Sequence, residues 1–154
     1  LALAKEWSRA ARHPGSEEPP WLALVMVDID HFKDYNDHYG HPSGDAVLKQ
    51  VARLLGEAAR RGGELVARYG GEEFALLLPG ADLGAAVGVA ERCRALVAEA
   101  KIGHRASPIS AWLTLSIGVA AQRPAVGVAP CALVETADAA LYRAKRTGRD
   151  RIES

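Results

Sequence analysis

The sequence predicts an α+β domain in which helices pack on a sheet that contains an antiparallel hairpin. Residues 21–28, WLALVMVD, form a continuous apolar run that is typical of a buried strand. Residues 113–119 alternate apolar side chains with Thr, Ser and Gly, which is the pattern of a half-buried strand. Gly70–Gly71 separates two further strands, near residues 64–69 and 73–78, and glycine accepts the positive φ that a tight hairpin turn requires. Mixed with helical segments, these strands favour an α+β architecture.

The first three helices follow from local composition and apolar spacing. A helix is predicted over residues 2–12, stopped by His13-Pro14-Gly15, and the polar loop SEEPP then leads to the first strand. Residues 31–45 are rich in Asp, Asn, His, Gly and Pro, so we expect a short helix followed by a loop. From residue 43 to residue 60 the apolar side chains keep helical spacing, which predicts a longer helix.

Two more helices complete the predicted order, with room for a short final strand. Asp82 is the predicted N-cap of the fourth helix. The apolar face predicted for that helix consists of Leu83, Ala86, Val87, Ala90, Leu96 and Val97. The last helix is predicted from about Pro130 to Arg146, and Gly148 suits its C-terminal end.

Composition narrows the classes of function. The 154 residues carry 19 basic and 19 acidic side chains, so the chain lacks the general basic footprint of a protein that binds nucleic acid polymers. Cys93 and Cys131 lie in predicted helices without metal-ligand spacing, which favours a reduced, cytoplasmic setting over a disulfide framework. No apolar run approaches the ~20 residues that span a bilayer. Because the only methionine is Met26, we expect a fragment of a longer parent, which could itself be membrane-anchored.

Two pairs of acidic residues stand at predicted strand ends. Asp28 and Asp30 close the first strand, and Glu72 and Glu73 open the strand after the hairpin turn. If those strands are neighbours, one carboxylate from each pair reaches the same point, and carboxylates that share a site repel each other unless a proton or cation lies between them. Ligand sets made only of oxygen suit Mg²⁺ or Mn²⁺.

Three other interpretations of these residues compete with a magnesium site. The acids can be solvated edge residues, which is the simplest reading of either pair alone. An EF-hand fits poorly, because Phe32 and Lys33 stand where that loop needs a ligand and a glycine. A zinc site built from His31, His38 and His41 is conceivable, but scattered surface histidines are commoner.

Groups that suit phosphate and a base follow the acids. The possible phosphate ligands are Lys33, Asn36, His41, Gly44, Lys145, Arg146, Gly148 and Arg149. The last four end a predicted helix, where cations also complement the helix dipole. Asp45 can accept the paired N1–H and N2–H₂ donors of guanine, and Asn36 can serve the adjoining acceptors. Both residues can equally serve as a cap or as an early helix position.

Four segments give the chain a family resemblance. DIDHFKDYNDHYGHPSGD, RYGGEEF, LSIGVA and ADAALYRAKRTGRD occur in the order found in the GGDEF family of diguanylate cyclases. The chain resembles this family from Trp21 onward and carries the GGEEF variant of its signature. Four motifs in one order are far more specific than any single motif, and they outweigh the reading as solvated edge residues.

The resemblance implies a central five-stranded, mostly antiparallel sheet flanked by helices, similar to polymerase palm and nucleotidyl cyclase catalytic domains. It implies a single GGDEF domain over residues 1–154, in which residues 1–20 are an N-terminal helix and linker. The metal ligands it implies are Asp28, the carbonyl of Ile29, and Glu72. The substrate-binding residues it implies are Phe32, Lys33, Asn36, His41, Asp45, Gly70, Gly71, Lys145 and Arg149. Among these, Asn36 and Asp45 would read guanine, and His41 would position its loop.

The implied reaction condenses two GTP molecules into cyclic di-GMP and releases two pyrophosphates, with Mg²⁺ or Mn²⁺ as cofactor. Either Glu72 or Glu73 would be the general base. Because each domain binds one GTP, the reaction requires a second copy in a two-fold arrangement. The resemblance also implies an upstream sensory domain in the full-length protein and no nucleic acid polymer as partner.

The chain departs from the family pattern in two places. It starts after the usual Asp-x-Leu-Thr-Gly-Leu-x-Asn-Arg segment, and the product-inhibition motif Arg-x-x-Asp reads Arg61-Gly62-Gly63-Glu64. We expect weakened feedback inhibition there, because the carboxylate of Glu64 is one methylene longer. These departures leave open a catalytically weak domain that binds GTP or cyclic di-GMP for signalling or dimerisation. A cyclase for adenine-containing dinucleotides fits less well, because Asp45 would face the acceptor N1 of adenine.

Overall fold

The computed structural model describes residues 2–12 and 18–154 of the chain. Five helices and five strands lie within these ranges: α1 (Ala2–Ala11), β1 (Leu22–Ile29), α2 (Phe32–Tyr39), α3 (His41–Ala58), β2 (Leu65–Gly70), β3 (Glu73–Pro79), α4 (Leu83–Glu99), β4 (Leu115–Gln122), α5 (Cys131–Arg146) and β5 (Arg151–Glu153). The predicted order is confirmed, including the short final strand. The predicted stop at residues 13–15 and the start of the polar loop at 16–17 lie outside the described residues.

The strands form one five-stranded sheet in the order β2-β3-β1-β4-β5. Neighbouring strands are antiparallel except β4 and β5, which pair in parallel. The α+β class and the mostly antiparallel sheet are therefore confirmed. The central strand β1 pairs with β3 on one side and with β4 on the other, and all eight of its residues are buried. Its continuous apolar run reflects helices on both faces of the sheet.

Each face of the sheet has its own apolar core. On one face, helices α2, α3 and α4 cover a core that includes Val25, Val27, Phe74 and Leu76. On the other, α1 and α5 cover a smaller core made of Trp7, Leu22, Leu24, Met26, Leu77, Ala120, Leu133, Ala137 and Leu141. The indole Nε1 of Trp7 also donates to the carbonyl oxygen of Val128 at 2.7 Å, which ties α1 to the loop after β4. Within residues 2–12 and 18–154, no helix is both long and apolar enough to cross a membrane.

Strand β4 differs from its predicted half-buried state. Its first six residues are buried, including the polar Ser116. Leu115, Ile117 and Val119 belong to the core under α3 and α4, whereas Gly118 lies against the backbone of α5. The small residues of the alternation are therefore not a solvent-facing side, and the predicted exposure was wrong: Gly118 is a site of close helix packing, and Ser116 hydrogen-bonds to Asp30.

Two details of the helices also differ from expectation. The loop predicted after the short second helix is reduced to Gly40, whose φ of 90° lets α3 begin at His41. In α4 the predicted cap is confirmed, because the Asp82 carboxylate accepts the N–H of Ala85 at 2.8 Å. The buried face of α4 agrees with the prediction at Ala86, Ala90 and Val97, and the predicted Val87 and Leu96 are partly buried against the same core. It differs at Leu83, which is exposed, and it also includes Val89 and Cys93.

The hairpin turn is displaced by one residue from Gly70–Gly71. Gly70 pairs with Glu73 at the end of β2, so the two loop residues are Gly71 and Glu72. An irregularity in the pairing between Arg68 and Gly70 produces this shift, which the sequence pattern does not reveal. Gly71 has a φ of 53°, and its carbonyl oxygen accepts a hydrogen bond from Nε of Arg68 at 2.7 Å.

We predict that Gly118→Ala destabilises the protein by about 3 kcal/mol, because overpacking against backbone is not relieved by a rotamer change. A Cβ at this position would lie 2.2 Å from the nitrogen of Leu141 and 2.3 Å from the oxygen of Ala137. The measurement is the free energy of unfolding in urea. Gly56→Ala is the matched control: residue 56 is exposed in α3 with nothing within 4 Å of a new Cβ, so the change should stabilise by up to about 1 kcal/mol. Equal effects of the two substitutions would contradict the packing argument.

Candidate functional site

The two predicted pairs of acids meet where β1 ends and β3 begins. Asp28 stands directly opposite Glu73 in the antiparallel register. The N–H of Ile29 donates to the carbonyl oxygen of Glu72 at 3.3 Å, which brings the hairpin turn against the end of β1. The expected convergence of acids from neighbouring strands is therefore present, and it includes both glutamates.

Asp28 lies in an environment that disfavours its charge. The residue is 5% exposed, and burial raises the pKa of its carboxyl from 3.8 to about 6. The hydrogen bond and the charge of Lys145 act in the opposite direction, while the charges of Glu72 and Glu73 raise the pKa further. Nζ of Lys145 donates to Oδ2 of Asp28 at 2.6 Å and lies 3.9 Å from Oε1 of Glu73. One ammonium group is thus shared between carboxylates of β1 and β3.

Asp30 is not part of this convergence. It is buried, and its carboxylate accepts three hydrogen bonds: from Oγ1 of Thr114 at 2.8 Å, from Oγ of Ser116 at 2.6 Å and from the N–H of Asp150 at 3.0 Å. Neutral donors from Ser116 of β4, and from Thr114 and Asp150 just before β4 and β5, therefore hold this group. Asp28 and Asp30, two residues apart in sequence, have separate roles.

The cations of α5 lie at the same edge of the sheet. Lys145 is in the last turn of α5, and Arg149 follows with a φ of 61° and donates from Nη1 to the carbonyl oxygen of Lys145 at 3.4 Å. Gly148 between them has a φ of 123°, which suits glycine and confirms the predicted helix end. The exposed Lys33 is in the first turn of α2. Phe32, by contrast, is a core residue that is 7% exposed.

Asn36 and Asp45 are brought together by the junction of α2 and α3. Oδ1 of Asn36 is buried and has no hydrogen-bond partner among the described residues. A Cβ at Gly44 would lie 1.8 Å from that oxygen, so only glycine leaves room for the asparagine side chain. Asp45 is the next residue and is exposed. A buried amide oxygen without a partner beside an exposed carboxylate is a suitable place for a ligand that donates hydrogen bonds.

A cleft of about 480 Å³ lies beside Asp45, between α3 and the hairpin. Its lining consists of Asp45, Leu48, Lys49, Ala52, Val66, Arg68 and Phe74. Lys49 and Arg68 are not among the site candidates predicted from the sequence. Lys49 follows Asp45 by four residues, and this helical spacing was the signal that could have identified it. Arg68 enters the cleft from β2, where no sequence periodicity relates it to α3.

The histidines show no zinc arrangement. Nδ1 of His31 lies 3.2 Å from Oδ2 of Asp34, the ring of His38 packs edge-on against Tyr39, and His41 is the exposed first residue of α3. Across residues 2–12 and 18–154, no group of three or more His, Cys, Asp or Glu side chains is placed to hold a metal ion. The zinc hypothesis therefore has no structural support.

Arg61 and Glu64 lie at the opposite end of β2 from Glu72. Oε2 of Glu64 accepts the main-chain N–H of Arg61 at 3.0 Å, and the N–H of Glu64 donates to the carbonyl oxygen of Arg61 at 3.1 Å. The longer side chain of Glu64 thus folds back onto its own turn. This contact is compatible with the expected weakening of a product-inhibition site, which stays a prediction.

The residues at the end of β1 fit a hard divalent cation. The donor set is oxygen only: the carboxylates of Asp28 and Glu72 and the carbonyl of Ile29, whose main chain lies against that of Glu72. Magnesium in proteins typically takes one or two carboxylates together with substrate phosphates, so a cluster of three side chains is not required. The ammonium of Lys145 against Asp28 shows that positive charge is stabilised at this place.

A family model and several curated proteins match most of this chain. The family model described as "Diguanylate cyclase, GGDEF domain" matches residues 1–151. The chain is 42% identical over 136 residues to diguanylate cyclase A of Treponema denticola, covering 88% of this chain and 36% of that protein. It is 43% identical over 151 residues to diguanylate cyclase DgcP of Pseudomonas aeruginosa, covering 98% of this chain and 21% of that protein. The chain therefore spans only a minor part of these curated relatives.

Solved structures show the same fold. The chain matches the GGDEF domain of DgcB from Caulobacter crescentus in complex with c-di-GMP with a TM-score of 0.83 and 34% identity, covering 98% of this chain and 84% of that one. It matches the active GGEEF domain of a diguanylate cyclase from Vibrio cholerae with a TM-score of 0.83 and 30% identity, covering 98% and 90% of the two chains.

We predict that Asp28→Asn changes the pH dependence of stability. Because the pKa of Asp28 is about 6 in the folded protein and 3.8 ordinarily, the folded state binds the proton more tightly, and the free energy of unfolding falls as the pH rises through this window. Asparagine lacks this proton. Relative to wild type, the free energy of unfolding of the variant should therefore rise by up to about 3 kcal/mol between about pH 4 and about pH 7.

Urea denaturation in a chelating buffer measures this difference at each pH. Asp138→Asn, an exposed carboxylate of α5, is the control and should follow the wild type across the same range. A difference between Asp28→Asn and wild type that does not change with pH would contradict the prediction.

Proposed function

Because the chain belongs to the GGDEF domain family of diguanylate cyclases, we propose that it condenses two GTP molecules into cyclic di-GMP with release of two pyrophosphates. The observation that carries the proposal is the meeting of Asp28, Glu72 and Glu73 with Lys145 at one edge of the sheet. Carboxylates and a cation at a common point suit the transfer of a nucleotidyl group that carries a triphosphate.

Guanine recognition is assigned to the junction of α2 and α3. The Asp45 carboxylate accepts N1–H and N2–H₂ of guanine, and the amide of Asn36 completes the contact with the same edge. The unpartnered Oδ1 of Asn36 supports this assignment, because a buried acceptor is stabilised when a ligand supplies a donor. Gly44 leaves room for the Asn36 side chain, and His41 begins α3, the helix that carries Gly44 and Asp45.

Binding of the triphosphate is assigned to cations from two helices and to the hairpin turn. Lys33 of α2 and Lys145 and Arg149 of the α5 end supply positive charge. A Cβ added at Gly70 or at Gly71 would meet nothing within 4 Å, so the backbone there is open to a phosphate group. Phe32 contributes through its main chain, since its ring is in the core.

Asp28, the carbonyl of Ile29, and Glu72 would hold Mg²⁺ or Mn²⁺. When bound, such an ion supplies charge neutralisation at the phosphates and lowers the pKa of the attacking hydroxyl. Lys145 then acts beside Glu73, where its ammonium can hydrogen-bond to phosphate oxygen as well as to carboxylate.

The chemistry proceeds in two equivalent steps. In each, the ribose 3′-oxygen of one GTP forms a bond to the α-phosphorus of the other, and the bond from that phosphorus to the bridging oxygen of pyrophosphate breaks. The hydroxyl proton passes to Glu72 or Glu73, and the electron pair of the broken bond leaves with pyrophosphate. Since each domain binds one GTP, the two substrates meet when two copies face each other in an isologous dimer.

We also propose that residues 1–154 are one catalytic domain within a longer protein. The chain covers 36% and 21% of the two curated relatives described above, which supports a modular context. In that context an upstream sensory domain would control the approach of the two copies, and the domain would act in the cytoplasm, where GTP is available.

We predict that the full-length protein converts GTP into cyclic di-GMP in the presence of Mg²⁺ and does not convert ATP. Chromatography separates the products, and a phosphate assay after pyrophosphatase treatment counts two pyrophosphates for each cyclic dinucleotide. Binding of GTP without product would favour the alternative, a domain that binds nucleotide for signalling or dimerisation. Formation of an adenine-containing product would contradict the base assignment.

We predict that Glu72→Ala lowers turnover by about 100-fold or more, because it removes a carboxylate from the site of charge development. The same variant should bind Mn²⁺ more weakly, measured by electron paramagnetic resonance of the free ion.

Glu73→Gln, which keeps the shape of the side chain, should abolish turnover without loss of Mn²⁺ binding if Glu73 is the base. Glu99→Ala at the exposed end of α4 is the control. Full activity of Glu72→Ala would overturn the metal assignment.

A further inference from the structure

The cleft between α3 and the hairpin contains more charge than the guanine contact described above uses. Asp45 and Lys49 line it from α3, and Arg68 lines it from β2. Its remaining walls are apolar, from Leu48 and Phe74 among others. Apolar walls with a few polar groups directed into the same space are typical of sites that bind a flat organic ring.

Lys49 is free to interact with a ligand. It is exposed on α3, and no hydrogen bond or ion pair joins its ammonium to another group within residues 2–12 and 18–154. Arg68 differs, because its Nε already donates to Gly71 at 2.7 Å and this contact holds the side chain toward the hairpin turn. Of the two cations in the cleft, Lys49 is therefore the one without an internal partner.

The spacing of Asp45 and Lys49 matches the order of groups on guanine. The Watson–Crick edge of guanine presents the 2-amino donor, the N1–H donor and the O6 acceptor side by side. A carboxylate that accepts the two donors leaves O6 next to it, and a donor is needed there. Side chains four residues apart on a helix are neighbours, with Cβ atoms about 5–6 Å apart. Lys49 therefore lies one helical turn beyond Asp45 on the same wall.

We propose that Lys49 is a specificity-determining residue that donates a hydrogen bond from Nζ to O6 of guanine, an inference that rests on the proposed function. In the major groove of DNA, lysine and arginine are the common partners of guanine O6, so a lysine is a suitable donor to this atom. Adenine carries an amino group at the same position, so Lys49 would face a donor and lose the contact. Asp45 and Lys49 together read the donor, donor and acceptor pattern that distinguishes guanine from adenine.

Binding of modified nucleotides tests which atom Lys49 contacts. The ligands are the 3′-deoxy forms of GTP, 6-thio-GTP and 7-deaza-GTP, which lack the attacking hydroxyl and so do not turn over. Sulfur at position 6 is a weaker acceptor than oxygen, and 7-deaza-GTP lacks the N7 acceptor but keeps O6. Calorimetry in Mg²⁺ buffer gives the dissociation constants for the wild type, Lys49→Met, Lys49→Arg and Lys5→Met. Lys5, an exposed lysine of α1, is the matched control.

We expect Lys49→Met to weaken binding of 3′-deoxy-GTP and of its 7-deaza form by about fivefold, and binding of the 6-thio form by less than twofold. Lys49→Arg should restore most of the affinity for 3′-deoxy-GTP, and Lys5→Met should change none of the three. An equal loss for all three ligands would overturn the proposal, since it would place Lys49 near the phosphates.

Two further results would also overturn it. If Lys49→Met leaves every dissociation constant unchanged while the wild type binds 3′-deoxy-GTP, this inference fails and the proposed function stands. If the wild type binds 3′-deoxy-GTP no better than 3′-deoxy-ATP, the proposed function fails with it. The wild-type measurement therefore separates the two failures.

Discussion

The register of β1 between β3 and β4 is the constraint on which the candidate site depends. Successive side chains of a strand point to opposite faces, so a shift of one residue would turn Asp28 away from Lys145 and direct Val27 there instead. Both neighbours hold the same alignment, because Asp28 is opposite Glu73 on one side and Ser116 on the other. Since all eight residues of β1 are buried, any slip would also disrupt both cores. The apolar strand thus specifies where the polar site stands.

Two carboxylates at the end of this strand have different roles because their hydrogen-bond partners differ. Asp30 is held by neutral donors from Thr114, Ser116 and the main chain of Asp150, so its role is to join β1 to the sheet edge formed by β4 and β5. Asp28 has the ammonium of Lys145 for a partner and neighbouring carboxylates that oppose its charge. A carboxylate whose partner is the end of a long side chain can exchange that partner for a ligand more readily than one held by three donors of the fold.

Sequence pattern predicted the elements of this fold well and their surroundings less well. The apolar run of β1 and the cap at Asp82 can be recognised from residues that are adjacent in the sequence. The small residues of β4 were assigned to a solvent face because Gly118 and Ser116 look alike in a buried and in an exposed alternation. Whether these small residues are buried or exposed depends on α5, a helix distant in the sequence that packs against Gly118. The displaced hairpin turn has the same origin, since pairing irregularities leave no periodic signal.

The candidate site residues divide in a similar way: some belong to sequence motifs and others do not. Asp28, Asn36, Asp45 and Lys145 belong to recognisable motifs, so they could be named before their positions were known. Arg68 belongs to a strand that faces α3 only after the hairpin has folded over it, and no spacing relates the two.

The bonds that close the site also have a bearing on the order in which the domain folds. The Asp150–Asp30 hydrogen bond joins residues 120 positions apart, and the Lys145–Asp28 pair joins residues 117 apart. Contacts between such distant positions carry the largest loop-closure cost and tend to form after local ones. During synthesis, the hairpin and β1 leave the ribosome well before α5, so their carboxylates remain without a cationic partner until the last helix docks. The charge pairing at the end of β1 is therefore completed only when α5 docks, and a chain cut short before α5 would lack both this pairing and the helix that covers the smaller apolar core.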